Sequence, residues 1–93
     1  MLELYPRIEL NESVVCAELD GEMVLLNVET GIYFGLDEVG SEIWKLLVDG
    51  EREGTIVDKL VEKYDAPAEC IRADVATFLE LLVSKGLLQV ERN

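Results

Sequence analysis

The apolar positions of this chain follow two rhythms. As far as Leu36 they come in short runs broken by turn residues, and from Val39 onward they recur every three or four residues. Val14-Val15-Cys16-Ala17-Glu18-Leu19 reads as a strand. Asp20-Gly21 follows it, a two-residue hairpin signal in which both positions accept positive φ. Glu22 to Val28 is the partner strand and Ile32 to Leu36 a third, with Glu29-Thr30-Gly31 as the turn between them. Gly31 supplies a positive φ that Thr30 does not readily adopt. Two tight turns between three strands predict an antiparallel meander. Its last strand stops at Gly35-Leu36 and runs into Asp37, whose carboxylate can cap a helix. A hairpin that ends straight into a helix leaves its second strand near a sheet edge.

The second rhythm predicts three helices. Glu38 to Val48 carries Val39, Ile43, Trp44 and Leu47 at helical spacing, with Asp49-Gly50 as its stop. Gly40 inside it costs up to ~1 kcal/mol against alanine, which predicts a close packing contact there. The next helix is expected to open at Thr55, with Thr55-x-x-Asp58 resembling a capping box. Ile56, Val57, Leu60, Val61 and Tyr64 form its apolar face, and Lys59 and Lys63 point outward. Pro67 fits the first turn of a third helix. Ile71, Val75, Phe78, Leu79 and Leu82 share one stripe that Gly86 ends. Cys70, Asp74, Thr77 and Leu81 make a mixed stripe roughly 80° away at ~100° per residue.

Residues 1–12, with Leu2/Leu4 and Ile8/Leu10 alternating about Pro6, read as an extended arm lying against the body, with room for a short edge strand. Leu87 to Val90 has room for a final strand. The whole, residues 1–93, is read as one α+β domain of winged helix-turn-helix type, a three-stranded antiparallel sheet followed by three helices.

Charge narrows the partners. The net charge is −12. Met1 to Trp44 holds one base, Arg7, against ten acids, while Lys45 to Asn93 holds seven bases against ten. Such a surface repels nucleic-acid phosphates and anionic lipid, so neither nucleic acid nor membrane is expected as a partner. The second and third helices offer a DNA groove only Lys59, Lys63 and Arg72, opposed by Asp58, Glu62, Glu69 and Asp74, so a winged-helix regulator is the weaker reading. No apolar run reaches the ~20 residues of a membrane span, and the N-terminus has no basic signal region, which makes the cytoplasm the expected location.

Catalytic chemistry finds little to use. Histidine is absent, which removes a Cys–His nucleophile, and Cys16 and Cys70 form no C-x-x-C pair. Two reduced, mostly buried thiols are expected, with no metal and no cofactor. Asp37-Glu38, Glu51/Glu53 and Glu62/Asp65 fall at element ends, where carboxylates serve as caps or solvated charge. Gly31, Gly35 and Gly40 do not form a phosphate-binding G-x-G-x-x-G. The residues alone favour a non-enzymatic module. The strand at Ile32-Tyr33-Phe34 either keeps its outer backbone groups open for a visiting strand or buries one face as ordinary core; an open edge also admits a second copy of the chain.

The run from Leu26 to Leu47 resembles the PqqD-like family, and within it the standalone precursor-recognition proteins of lasso-peptide gene clusters. Asp74-Val75-Ala76-Thr77-Phe78-Leu79-Glu80-Leu81-Leu82, with Lys85-Gly86-Leu87-Leu88 behind it, is similar to that family's third helix. The resemblance spans Val14 to Val90. It implies a module that binds the leader region of a ribosomally made precursor peptide, known as a RiPP recognition element, by strand addition to the third strand beside the third helix. Val28, Ile32, Tyr33, Phe34 and Gly35 would then provide the strand edge, and Ile71, Asp74, Val75 and Phe78 the facing helix. The resemblance implies that the leader offers a tyrosine, a proline and a leucine to apolar pockets. It also implies a cysteine-protease-type leader peptidase as enzyme partner, with a cyclase as a further one. Other branches of the family serve a radical enzyme of cofactor biosynthesis as peptide chaperones.

Overall fold

The computed structural model describes residues 7–20 and 22–91, with 7–9 and 90–91 described as backbone. Its elements run β1 (Arg7–Leu10), β2 (Val14–Leu19), β3 (Glu22–Asn27), β4 (Tyr33–Leu36), α1 (Glu38–Val48), α2 (Glu53–Tyr64), α3 (Ala68–Ser84) and β5 (Leu88–Glu91). The predicted meander is the sheet β2-β3-β4, so the third strand of the sequence reading is β4. A second, two-stranded sheet pairs β1 with β5, tying the N-terminal arm to the end of the chain. The arm therefore runs along β5 from Arg7 to Leu10, and the Leu2/Leu4 half of its expected pattern lies outside the described residues.

Local chemistry explains most of the boundaries. Asp37 caps α1, its Oδ1 accepting from the Gly40 N–H at 2.7 Å. Gly31 takes φ +76° in the β3–β4 turn, Asp20 takes +53° in the β2–β3 turn, and Gly50 and Gly86 take +86° and +73° after α1 and α3. α2 departs from expectation. It begins at Glu53, two residues before Thr55, with Arg52 as its N-cap and no side-chain cap bond. Thr55 thus lies inside the first turn and is not the N-cap, so the Thr55-x-x-Asp58 capping box does not form. Pro67 likewise precedes the first helical residue, Ala68, as the N-cap.

The helices cover one face of the three-stranded sheet. Leu25 and Leu36 meet Ile43, Trp44 and Leu47 of α1, Ile56, Val57 and Leu60 of α2, and Val75, Leu79 and Leu82 of α3, closed by Leu87 and Leu88. At ~25 cal/mol per Å², each buried side chain contributes roughly 1.5–3 kcal/mol. The glycine inside α1 has its packing reason. A Cβ on Gly40 would stand 3.2 Å from Cζ of Phe78, so the ring rests on bare helix backbone.

The two cysteines are free and exposed, which corrects the expectation that they are mostly buried. Cys16 lies on β2, the edge strand opposite β4 in which every residue but Val14 is exposed, and Cys70 on the outer stripe of α3. Partial burial, and secondarily Glu18, still push the Cys16 thiol upward. On α1, Glu42 accepts a hydrogen bond from the Lys63 ammonium, which holds its carboxyl below the usual carboxylate range. A lowered pKa means a contribution present above the ordinary carboxylate range and lost as pH falls through the shifted value. Replacing Lys63→Met should let the Glu42 midpoint rise back toward that range in a carboxyl NMR titration, and an unmoved midpoint would show that the pair does not form in solution.

Candidate peptide-binding site

β4 forms one edge of its sheet. Antiparallel ladders alternate bonded and non-bonded residue pairs. Asn27 N–H donates to the Ile32 C=O at 2.9 Å, and the register continues with Leu25 opposite Phe34 and Met23 opposite Leu36. Phe34 and Leu36 therefore direct their backbone groups at β3, and Tyr33 and Gly35 direct theirs outward. Among the described residues nothing pairs with those outward groups, because β1 is occupied with β5. The edge on which the sequence reading depended is open.

Side chains divide by the same alternation. Phe34 turns inward and is half-buried against the core, while Tyr33 is 74% exposed on the opposite face. Phe34 meets Phe78 of α3 with ring centroids 6.4 Å apart and planes tilted by 47°, within the range of favourable aromatic pairs. Along α3, Ile71, Asp74 and Phe78 follow one another at helical spacing; Ile71 and Phe78 are half-buried and Asp74 is exposed. Asp74 has no hydrogen-bond or ionic partner among the described residues, so its carboxylate is free to accept.

Val75 differs from its neighbours. At 1% exposed it belongs to the core and presents no surface to a visiting chain, because it lies on the side of the apolar stripe turned away from Asp74. Val28 and Ile32 lie just outside the regular ladder, in the turn and its exit, and both are exposed. Gly35 is exposed with open space where a Cβ would stand.

Two residues at this site escaped the sequence reading. Lys85, just past α3, places its Nζ 5.8 Å from the Phe34 ring centroid, a cation over the half-buried aromatic of β4. Asn27, only 3% exposed, holds the turn that aims β4. Its Oδ1 accepts from the amides of Glu29 at 2.9 Å and Thr30 at 3.2 Å, and its Nδ2 donates to the Gly86 carbonyl at 2.9 Å. Asn11 donates to the same carbonyl. The available signal was a polar residue at the inward position of an otherwise apolar strand, four residues ahead of a turn glycine.

The arrangement combines an open strand edge, a half-buried aromatic pair and an unpaired carboxylate along one helix. Among the described residues no group of three or more potential ligands could hold a metal ion, and no helix is long and apolar enough to cross a membrane. The model of the family described as coenzyme PQQ synthesis protein D (PqqD) matches residues 22–88, and this chain belongs to that family. A curated relative, the PqqA binding protein of Bradyrhizobium diazoefficiens, is 42% identical over 58 residues, 61% of this chain; the match spans about half of that relative's length, 55%. Among solved structures, TbiB1 in complex with the TbiA(beta) leader peptide superposes with a TM-score of 0.85 at 41% identity, covering 91% of this chain and 99% of TbiB1. A lasso peptide synthetase B1 complexed with the leader peptide shares the fold at TM-score 0.83 and 24% identity, over 88% of this chain and 96% of that one.

Proposed function

We propose that this chain is a non-catalytic recognition module that captures the leader of a ribosomally made precursor peptide in lasso-peptide biosynthesis. The leader adds as a strand to β4, and the module hands the precursor to a cysteine-protease-type peptidase, with a cyclase acting afterwards. The work takes place in the cytoplasm, where the precursor is translated. The observation that carries the reading is the outward backbone of Tyr33 and Gly35 on an unpaired edge beside α3. Each main-chain hydrogen bond made there contributes ~0.5–1.5 kcal/mol net, and pockets at alternate side chains supply selectivity.

The likeness to a leader-bound protein at 41% identity over nearly its full length supports this branch. A second reading, a chaperone passing a peptide to a radical enzyme, draws on the relative that binds PqqA, but that match covers a smaller part of the chain. Binding proceeds through Ile32, Tyr33, Phe34 and Gly35 on one side and Ile71, Asp74 and Phe78 on the other, with Val28 at the mouth and Val75 supporting the helix from below.

Titration of a labelled leader tests the proposal. Ile71→Asp, at a half-buried position, should weaken binding tenfold or more, that is ~1.4 kcal/mol or above. Circular dichroism must show the variant folded, and unchanged affinity in a folded variant removes the groove from the mechanism. A regulator would instead shift DNA fragments at low salt and lose them as salt rises.

A further inference from the structure

The three-stranded sheet has a second open edge. β2 ends the sheet on the side away from β4, and among the described residues no strand pairs with it there. Val28 N–H donates to the Ser13 C=O, so the bonded pairs of the β2–β3 ladder continue at Val15 with Leu26 and at Ala17 with Val24. Cys16 and Glu18 therefore direct their backbone N–H and C=O groups outward. Proteins usually blunt such an edge with lysine, proline or a bulge. Val14–Leu19 has no lysine and no proline, and its register with β3 runs unbroken over all six residues. The edge also flanks a cavity of about 510 Å³. The cavity floor is the row Glu18, Met23 and Leu36 across the sheet, and one stripe of α1 forms its wall with Glu38, Glu42 and Lys45. Among the described lining residues, five carboxylates face one base, Lys45. Glu42 is engaged by Lys63 and Asp37 by the α1 amides. Glu18, Glu22 and Glu38 have neither a hydrogen bond nor a salt bridge among the described residues.

We propose that the β2 edge takes an extended polypeptide segment whose residues alternate between basic and apolar, at a site separate from the strand edge of β4. Directly opposed residues of a ladder share a face of the sheet. Visiting residues opposite Cys16 and Glu18 therefore turn toward α1, where a Lys or Arg side chain reaches the unpaired carboxylates of the cavity. Those opposite Val15 and Ala17 turn to the other face, beside Val15 at 48% and Leu19 at 60% exposed, and apolar side chains suit them. The backbone groups would hold any strand; the charge selects this one. A second copy of the chain fits poorly. Its own β2 would bring Glu18 to the shared edge with Asp20 and Glu22 close by, and like-charge juxtaposition across an interface is costly. Because β3 separates β2 from β4, both edges fill at once, and this site stands or falls apart from leader recognition.

The probe is a fluorescein-labelled octapeptide alternating lysine and valine, titrated into the full chain by anisotropy. It should bind roughly tenfold or more tightly than a peptide of the same composition with its lysines and valines in two blocks, and more weakly as salt rises. Bound peptide should slow alkylation of Cys16 by iodoacetamide several-fold and leave Cys70 unchanged, both thiols being exposed in the free chain. Cys16→Pro removes an outward N–H while sparing the bonds to β3, and Glu18→Lys reverses the charge at the cavity mouth. Each should weaken the alternating peptide roughly tenfold or more, with an unchanged circular dichroism spectrum and leader affinity within about twofold. Glu18→Lys decides the matter if Cys16→Pro does not fold. Equal binding of the two peptides reduces the effect to bulk charge and overturns the strand edge. Unchanged affinity in folded Glu18→Lys, or an unprotected Cys16, also overturns it. So does complete displacement of the peptide by leader, which would place it on β4. Light scattering that shows a wild-type dimer split by Glu18→Lys or Cys16→Pro assigns the edge to a second copy and overturns the proposal as well. Failure of the wild type to bind leader, with Cys16 still protected by the alternating peptide, would sink the leader reading alone.

Discussion

Replacing Gly35→Pro should leave the domain folded and weaken leader binding at least thirtyfold, roughly 2 kcal/mol. Proline in a strand is harmful when it removes a ladder bond, and tolerable on an edge where its nitrogen faces solvent. Gly35 meets that condition, because the bonded pairs of the β3–β4 ladder fall at Phe34 and Leu36. Nothing stands within 4 Å of an added Cβ, and Phe34 before it is already extended, as a residue preceding proline must be. Folding should therefore survive. A docking strand, however, loses the Gly35 N–H as a donor and meets a ring in its path, which also spoils the bonds to Tyr33. Up to four main-chain bonds at ~0.5–1.5 kcal/mol each depend on that approach. Gly35→Ala is the control: its N–H remains, so its affinity should stay near the wild type. Equal binding by Gly35→Pro would mean that the leader does not add to β4.

Such a prediction was within reach of the sequence because the signals around β4 and α1 are local. Gly31, Gly35 and Asp37 act within a few residues of themselves, and α1 runs from Glu38 to Val48 as its periodicity requires. Long-range partners were not legible. The β1–β5 pairing joins chain ends about eighty residues apart, and no local pattern reports it. Nor does a helical stripe distinguish a wall from what lies beneath it. Val75 and Phe78 share a stripe, but at 3.6 residues per turn they point about 60° apart, which leaves Val75 in the core and Phe78 half-buried at its border. The exposed cysteines follow from the same blindness: a thiol reads as a small apolar group until the fold puts Cys16 on an exposed edge strand and Cys70 on the outer side of α3. Lys85 looks like a solvated C-terminal cation until Phe34 is found beneath it.

The second large effect concerns Asn27. Asn27→Leu should destabilise the domain by about 3 kcal/mol, read as a lower urea midpoint. Its nearly buried side chain makes three hydrogen bonds, to the Glu29 and Thr30 amides and to the Gly86 carbonyl. Leucine has nearly the same bulk, so the change leaves little cavity and reports mainly the loss of polar partners. A buried group left without its partner costs about 1–3 kcal/mol. Gly86 keeps the bond from Asn11, so the greater part of the loss falls on the two turn amides, which hold the loop between β3 and β4. That loop positions β4 against the C-terminal end of α3, where Lys85 meets Phe34. Leader affinity should therefore fall as well, at temperatures where the variant is still folded. Asn27→Asp separates the two halves of the clamp, since a carboxylate still accepts from both amides but cannot donate to Gly86. If Asn27→Leu unfolds at the wild-type urea concentration, the clamp contributes nothing, and some other contact must fix the angle at which β4 meets the helix.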